Sequence, residues 1–316
     1  MKVYHGLKEF KNTKGLVLAL GNFDGVHKGH REILNITVQK ARLSGAQSAA
    51  LVFEPHPLNL IKPEKRTLIL TPLQEKAALM EQLGIDILLV IPFDQEFASL
   101  SPEKFIKRIL VQKLQASLVV VGFDYSFGFK GAGRVEDLIS SAGNYDFKVE
   151  VVKPVVLKNK VVSSSLVRKL VVQGQVEEAA FYLGYPYYLK GQVIPGEGRG
   201  KFLGYPTANL EVPSDRIIPA DGVYLTLTAY KNHDYYSLTN IGHNPTFKGK
   251  IKTIETYIFG FQNSIYKSEL RLTFLRKIRE ERTFPNSEKL KEQIAMDFEK
   301  ALKIIKSFNH GLADFR

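Results

Sequence analysis

Two histidines, His27 and His30, bracket Lys28-Gly29 in the run Gly21-Asn22-Phe23-Asp24-Gly25-Val26-His27-Lys28-Gly29-His30. The run falls where a short apolar strand, Leu16 to Leu20, hands over to a helix expected from His30 to Leu43. Two imidazoles at that point lie beside a helix N-terminus, whose exposed N–H groups and positive dipole end favour an anion. The glycines at 21, 25 and 29 let the backbone come close to phosphate. Nucleotidyl transfer is the chemistry this suits. Charge on an α-phosphate in transit is stabilised best by fixed donors aimed at its oxygens, and no covalent intermediate is needed. A zinc pair is the weaker reading, because the HExxH spacing and a third ligand are both missing. The plain alternative is a pair of surface histidines in a turn.

A second glycine-rich run, Gly196-Glu197-Gly198-Arg199-Gly200-Lys201-Phe202-Leu203-Gly204, leads into Tyr205-Pro206-Thr207-Ala208-Asn209. It has neither the GxxxxGK[ST] spacing of a P-loop nor Rossmann glycine spacing. Thr207 and Asn209 supply two neutral oxygen ligands two residues apart, which suits Mg²⁺ that keeps phosphate oxygens in its shell. With Gly198, Gly200 and Lys201 they make a candidate cradle for a metal–ATP complex. Transfer of a phosphoryl group to an alcohol also benefits from a nearby base. Glu255 is the candidate: one carboxylate in the otherwise uncharged run Thr253-Ile254-Glu255-Thr256-Tyr257. Its alternative is a solvent-facing residue on a half-exposed strand.

Three more segments suit the histidine site. Phe53-Glu54-Pro55-His56-Pro57 and Gly122-Phe123-Asp124-Tyr125-Ser126-Phe127-Gly128 each follow an expected strand, so both lie at the carboxyl edge of a sheet, where doubly wound folds bind ligands. Their aromatic rings suit a flat heterocycle, or simple packing. Ser163-Ser164-Ser165-Leu166-Val167-Arg168 puts hydroxyls and a guanidinium at another helix start, which suits triphosphate oxygens.

The elements that must position these groups fall into two textures. Expected strands at Leu16 to Leu20, Ala49 to Phe53, Ile87 to Ile91, Leu118 to Val121 and Phe147 to Val152 alternate with helices, which implies a parallel sheet covered by helices. One of those helices is expected to open with Thr71 as N-cap and Pro72 at its first position. Another runs from Ser101-Pro102-Glu103 to about Leu114. Two further helices end this part, and Gly184-Tyr185-Pro186 is the expected boundary. Beyond it, Tyr187 to Val193, Gly222 to Tyr230, Tyr235 to Thr239, Thr253 to Phe261 and Glu269 to Leu275 read as strands with no long helix between them. That favours a small antiparallel barrel or sandwich. A last helix, Ser287 to Lys306, carries its apolar residues on one face.

At 316 residues the chain is long enough for two domains, and 44% hydrophobic residues is ordinary for a globular protein. The net charge of +12 is scattered among acidic residues without long single-sign runs, so it reads as a general attraction for small polyanions rather than a nucleic-acid surface. There is no cysteine, hence no disulfide, thiolate metal site or thiol nucleophile. No signal-peptide stretch or membrane span is read, and a cytoplasmic location is the expectation. Self-association is left open.

Taken together, GxFDGVHxGH, FEPHP and SSS-x-V-R resemble the FMN adenylyltransferase module of bacterial FAD synthetases. The GRGxxLGxPTAN segment, Asp221-Gly222-Val223-Tyr224, Asn240 to Phe247 and Arg279-Glu280-Glu281 resemble the riboflavin kinase module that normally follows it. The resemblance implies a Rossmann-like nucleotidyltransferase domain over residues 1–184 and a six-stranded riboflavin kinase-like β-barrel with a C-terminal helix over 185–316. It implies two activities: riboflavin and ATP to FMN in the second domain, then FMN and ATP to FAD and pyrophosphate in the first. Mg²⁺ is the implied metal, on Thr207 and Asn209. His27, His30 and Glu255 are the implied catalytic residues. Gly21, Asn22, Phe23, Asp24, Gly29, Ser164 and Arg168 join the ATP sites, and Phe53, Pro55, Pro57, Asp124, Phe127 and Arg279 those for flavin. Two places depart: Gly131-Ala132-Gly133-Arg134 breaks the order of small and basic residues expected after the Gly122–Gly128 segment, and Tyr257 stands where histidine is expected, two residues after the glutamate. A single-activity synthetase whose weakened kinase half only binds flavin is the alternative.

Overall fold

The structure, a computed structural model, describes all residues except 12–14, 62, 63, 65, 66, 197, 203, 244–251 and 310–316. The chain packs as two compact units, Met1–Leu166 and Val167–Arg316.

The first unit alternates strands and helices in chain order: β1 (Lys2–His5), β2 (Leu16–Leu20), α1 (Lys28–Ser44), β3 (Gln47–Glu54), α2 (Pro57–Ile61), α3 (Leu73–Gln82), β4 (Ile87–Pro92), α4 (Gln95–Ala98) and α5 (Pro102–Lys104). Then come β5 (Ala116–Gly122), α6 (Val135–Tyr145), β6 (Lys148–Val152) and a small hairpin of β7 (Val156–Leu157) with β8 (Lys160–Val161). The first six strands form one sheet in the order β1-β4-β3-β2-β5-β6, and every pairing in it is parallel. All five residues of β2 are buried, as expected of a parallel strand covered on both faces. The chain lays β3 on one side of β2 and later β5 on the other. Connections leaving the carboxyl ends of β2 and β5 therefore diverge and open a crevice.

Three local outcomes differ from the sequence reading. Helix α1 starts at Lys28, not His30, because His27 is its N-cap: its ring Nδ1 accepts the His30 N–H at 3.2 Å. Helix α3 starts at Leu73 with Pro72 in the cap position and no side-chain capping bond. Thr71 instead lends its N–H to the Asp24 carboxylate at 3.0 Å, which makes it a strap and not a cap. The expected single helix from Ser101 becomes α5 followed by π-helical turns over Phe105–Lys113, ending in a Leu114 N–H bond to the Ile109 carbonyl.

The division between units falls inside α7 (Ser164–Val172). The second unit continues with α8 (Val176–Leu183), β9 (Tyr188–Ile194), α9 (Arg199–Phe202), β10 (Ala208–Glu211), β11 (Gly222–Tyr230), β12 (His233–His243), β13 (Lys252–Ile258), β14 (Glu269–Arg279) and α10 (Ser287–Asn309). Six of these strands close a barrel in the order β10-β13-β12-β11-β14-β9, with antiparallel pairing throughout. Its interior mixes apolar side chains such as Leu189, Leu272 and Phe274 with a run of fully buried hydroxyls. Thr226 bonds Ser237 at 2.8 Å and Thr239 at 2.7 Å, Thr228 bonds Ser237 at 2.6 Å, and Thr239 donates to Thr256 at 2.9 Å. Each hydroxyl thus meets another, so none is left to cost an unmade bond. Outside the barrel, α10 lays Ala301, Ile305 and Phe298 over Val223, Leu225, Leu238 and Ile278.

Candidate functional sites

The crevice in the first unit is a cavity of about 420 Å³ at the carboxyl ends of β2, β3 and β5. The β2–α1 loop contributes Gly21, Asn22, Phe23, His27, Gly29 and His30 to its wall. The loop after β3 adds Phe53 and Pro57, the loop after β5 adds Asp124, and the start of α7 adds Ser163, Ser164 and Ser165. The two imidazoles are stacked, with centroids 3.6 Å apart and planes 16° apart. Since His27 Nδ1 accepts a backbone N–H, the proton of a neutral His27 sits on Nε2, which makes that atom a donor. Phe23 packs edge-on against His30 at 5.3 Å. A Cβ at Gly29 would come within 3.3 Å of the His27 ring, so glycine there lets the cap ring lie flat against the helix start. Both polar atoms of the Asn22 carboxamide are sealed from solvent with no hydrogen-bond partner among the described residues, the kind of group a bound ligand would satisfy.

The loop is pinned from behind. Asp24, 2% exposed, accepts the N–H groups of Leu70 and Thr71, and Ser164 donates its hydroxyl to the Asp24 carbonyl at 2.8 Å. Lys76, 4% exposed, donates its ammonium to the Asn22 carbonyl at 2.7 Å. The structure thus puts Asp24 behind the cavity rather than in its wall. Pro55, after a cis peptide bond from Glu54, is not among the lining residues either. Phe127 is buried in the core, its ring 5.3 Å from Phe105 and stacked at 5.8 Å on Tyr125. Arg168 belongs to the second unit. Tyr125, named in sequence only as one ring of its segment, lines the cavity, as does the Val152–Val155 stretch that sequence reasoning missed. Tyr125 was legible as part of the loop after β5. Burial pushes its phenol well above its ordinary pKa.

In the second unit, β10 pairs with β13 so that Asn209 stands opposite Glu255. Thr207, just before β10, has its hydroxyl 3.4 Å from a Glu255 carboxylate oxygen. Thr207, Asn209 and Glu255 are all half-buried. The glycine-rich run folds over them: a Cβ at Gly196 would strike the Asn209 carboxamide, and one at Gly200 would strike the Tyr205 carbonyl and reach 3.2 Å from the Thr207 hydroxyl. These glycines are there for lack of room. The donors gathered here, a hydroxyl, an amide and a carboxylate, are hard oxygen ligands and fit Mg²⁺. Gly198 is the left-handed residue entering α9, with φ 73°. Lys201 lies in α9, and its side chain is outside the description, as are Asn244 to Phe247.

Arg279 is held by α10. Its Nε lies 2.8 and 3.1 Å from the two carboxylate oxygens of Asp297, its Nη1 donates to the Glu280 carbonyl, and its guanidinium covers the Phe284 ring. Near it, Asp221, His243 and Glu281 converge, with His243 Nδ1 2.7 Å and Lys252 Nζ 3.0 Å from Asp221. Desolvation and the Asp221 charge raise the Glu281 carboxyl above its ordinary pKa, against smaller opposing effects of His243 and Arg279. A wider depression of about 660 Å³ lies elsewhere on the barrel, lined by Lys190, Lys231 and Arg271 among others, and holds none of the residues picked from sequence.

Comparison with known proteins matches each site to its own family. The FAD synthetase family model matches residues 9–166, and the riboflavin kinase family model matches residues 183–305. A bifunctional riboflavin kinase/FMN adenylyltransferase of Listeria monocytogenes is 40% identical over 89% of this chain and 90% of its own length. The Bacillus subtilis protein of the same description is 36% identical over 95% of both chains, and that of Escherichia coli K12 is 33% identical over 94% and 96%. A solved structure from Streptococcus pneumoniae, described as a macrolide-efflux protein, superposes with a TM-score of 0.87 at 30% identity, covering 95% of this chain and 98% of its own. Among the residues described here, no helix is long and apolar enough to cross a membrane.

Proposed function

The chain belongs to the family of bifunctional riboflavin kinase/FMN adenylyltransferases, and from that premise we propose how its two sites divide the making of FAD. Residues 185–316 transfer the γ-phosphoryl group of ATP to riboflavin, giving FMN and ADP. Residues 1–184 transfer the adenylyl group of a second ATP to FMN, giving FAD and pyrophosphate. The observation that carries this division is that each family model covers one separate set of phosphate-handling residues.

In the kinase step, Glu255 takes the proton of the attacking ribityl hydroxyl. Thr207 and Asn209 hold the nucleotide–metal complex under the glycine-rich turn. When bound, Mg²⁺ neutralises phosphate charge and holds the transferring group in line. In the adenylyl step, an FMN phosphate oxygen attacks the α-phosphorus as the bond to the β-phosphate breaks. His27 and His30, with the N–H groups at the start of α1, meet the charge that develops there. Phe53, Pro57 and Asp124, which line the cavity, take the flavin in this reading. A cytoplasmic location is part of this reading, being where ATP and reduced thiols abound. A cysteine-free sequence permits that location.

Chromatography of products from riboflavin and Mg–ATP tests the assignment. FMN should appear first and FAD after a lag, whereas FMN supplied directly should give FAD without one. Absence of FMN from riboflavin would remove the kinase half of the reading, and absence of FAD from FMN the other half.

A further inference from the structure

Tyr257 stands two residues after Glu255 on the same face of β13. Its ring meets the Tyr205 ring edge-on, centroids 5.3 Å apart and planes at 85°. It also lies 5.8 Å from Phe259 and 6.5 Å from Phe298 of α10, and those two rings are themselves 4.7 Å apart. Phe298 follows Asp297, the residue that anchors Arg279 of β14.

Tyr205 is where this aromatic chain reaches the nucleotide side. Its N–H donates to the Gly200 carbonyl at 2.9 Å. Its own carbonyl occupies the space a Cβ on Gly200 would need, and Thr207 follows two residues later. A shift of the Tyr205 ring therefore moves both the glycine-rich turn and the Thr207 hydroxyl. We propose that Tyr257 is a positioning residue for Mg–ATP: it fixes the Thr207 end of the site by bracing Tyr205 against α10. The aromatic face supplies this function, and the phenol oxygen is not needed for it. This rests on the Thr207–Glu255 site being the kinase site.

The test uses the full-length chain with Tyr257→Phe, Tyr257→His, Tyr257→Ala, Tyr205→Ala and the double alanine variant. FMN formation is measured against Mg–ATP and against riboflavin. Tyr257→Ala should raise the KM for Mg–ATP about tenfold, the worth of a lost edge-to-face pair, and leave the KM for riboflavin within about twofold. Tyr257→Phe should behave as the parent, and Tyr257→His should fall between. The double variant should be no worse than Tyr205→Ala alone. A rise confined to the riboflavin KM, additive effects of the two alanines, or failure of phenylalanine to rescue would each overturn the proposal.

A second readout needs no turnover. The glycine-rich run carries two trypsin sequence sites, after Arg199 and Lys201, and bound Mg–ATP should protect them. Tyr257→Ala should raise the half-protecting Mg–ATP concentration about tenfold, and Tyr257→Phe should not. An unchanged concentration in Tyr257→Ala refutes the bracing role even if the chain makes no FMN. Absence of FMN from the parent chain would instead count against the kinase assignment.

Discussion

His27 uses its Nδ1 to cap α1, while His30 sits in the first turn of that helix and stacks against it. Alanine at the two positions should therefore differ in kind. His30→Ala should lower single-turnover FAD formation from FMN by roughly two decades, the scale of a removed transition-state donor, with FMN formation from riboflavin intact. His27→Ala should lose adenylyl transfer and also roughly 1 kcal/mol of stability, the usual worth of an N-cap, read by urea unfolding of the full chain. Equal loss of both activities in His30→Ala would contradict separate sites. Glu281 offers a pH test. Its carboxyl is raised in the folded state, so the folded chain holds that proton more tightly than the unfolded one. The associated stability is present below the ordinary glutamate range and is lost as pH rises through the raised value. Glu281→Gln should consequently melt slightly above the parent near neutral pH, by roughly 1–2 °C for a group so exposed, and the gap should close as the solution is acidified towards pH ~4. A gap that widens on acidification would reverse the sign.

At the level of elements, the β2–α1 junction and the glycine-rich turn were legible because each encodes a backbone need as well as a chemistry. Gly196 and Gly200 sit where a Cβ has no room. Gly196→Ala should displace the Asn209 carboxamide and lower FMN formation at least about tenfold, with FAD formation from FMN unchanged. Parent-like kinase rates in that variant would show that Asn209 is not needed where it stands. Less was legible in β10, a four-residue strand with Leu210 as its only fully buried member, too short to show a period. Edge strand β1 was missed for the same reason. The Thr71 signature misled because the hydrogen bond its N–H gives to a distant carboxylate, Asp24, outweighed the local capping pattern. The π-helical turns before β5 have no counterpart in residue periodicity. The hydroxyl ladder inside the barrel was also invisible, since alternating threonines read equally well as a solvent face.

Over the whole molecule, the alternation in the first half and the β-rich second half are both borne out. Strand–helix alternation has few solutions other than a parallel sheet, and the crevice beside β2 follows from that topology. What sequence did not reveal is which partners two of the expected site residues take. Arg279 was expected at the nucleotide or flavin and is bound to Asp297, and Phe127 was expected at the flavin and lies in the core. Neither contact was readable in sequence, because each partner lies far along the chain. The chain runs its chemistry against its own order, the later half making what the earlier half consumes. Glu255→Gln should abolish about 99% or more of FMN formation yet leave FAD synthesis from added FMN at the parent rate, and loss of both would argue for one shared site.

The two sheets also end differently. The barrel closes on itself, so each of its strands has neighbours on both sides. Among the described residues the parallel sheet stops at β1 and β6, four and five residues long, each with one side unpaired. Strands that lack a neighbour are templates for joining another chain, and nature keeps them short and charged for that reason. Each of these begins with a lysine. Clumping of concentrated or warmed preparations should accordingly start from the nucleotidyltransferase half, and replacing Lys2 and Lys148 by valine should hasten it while the same exchange on the barrel's surface does not.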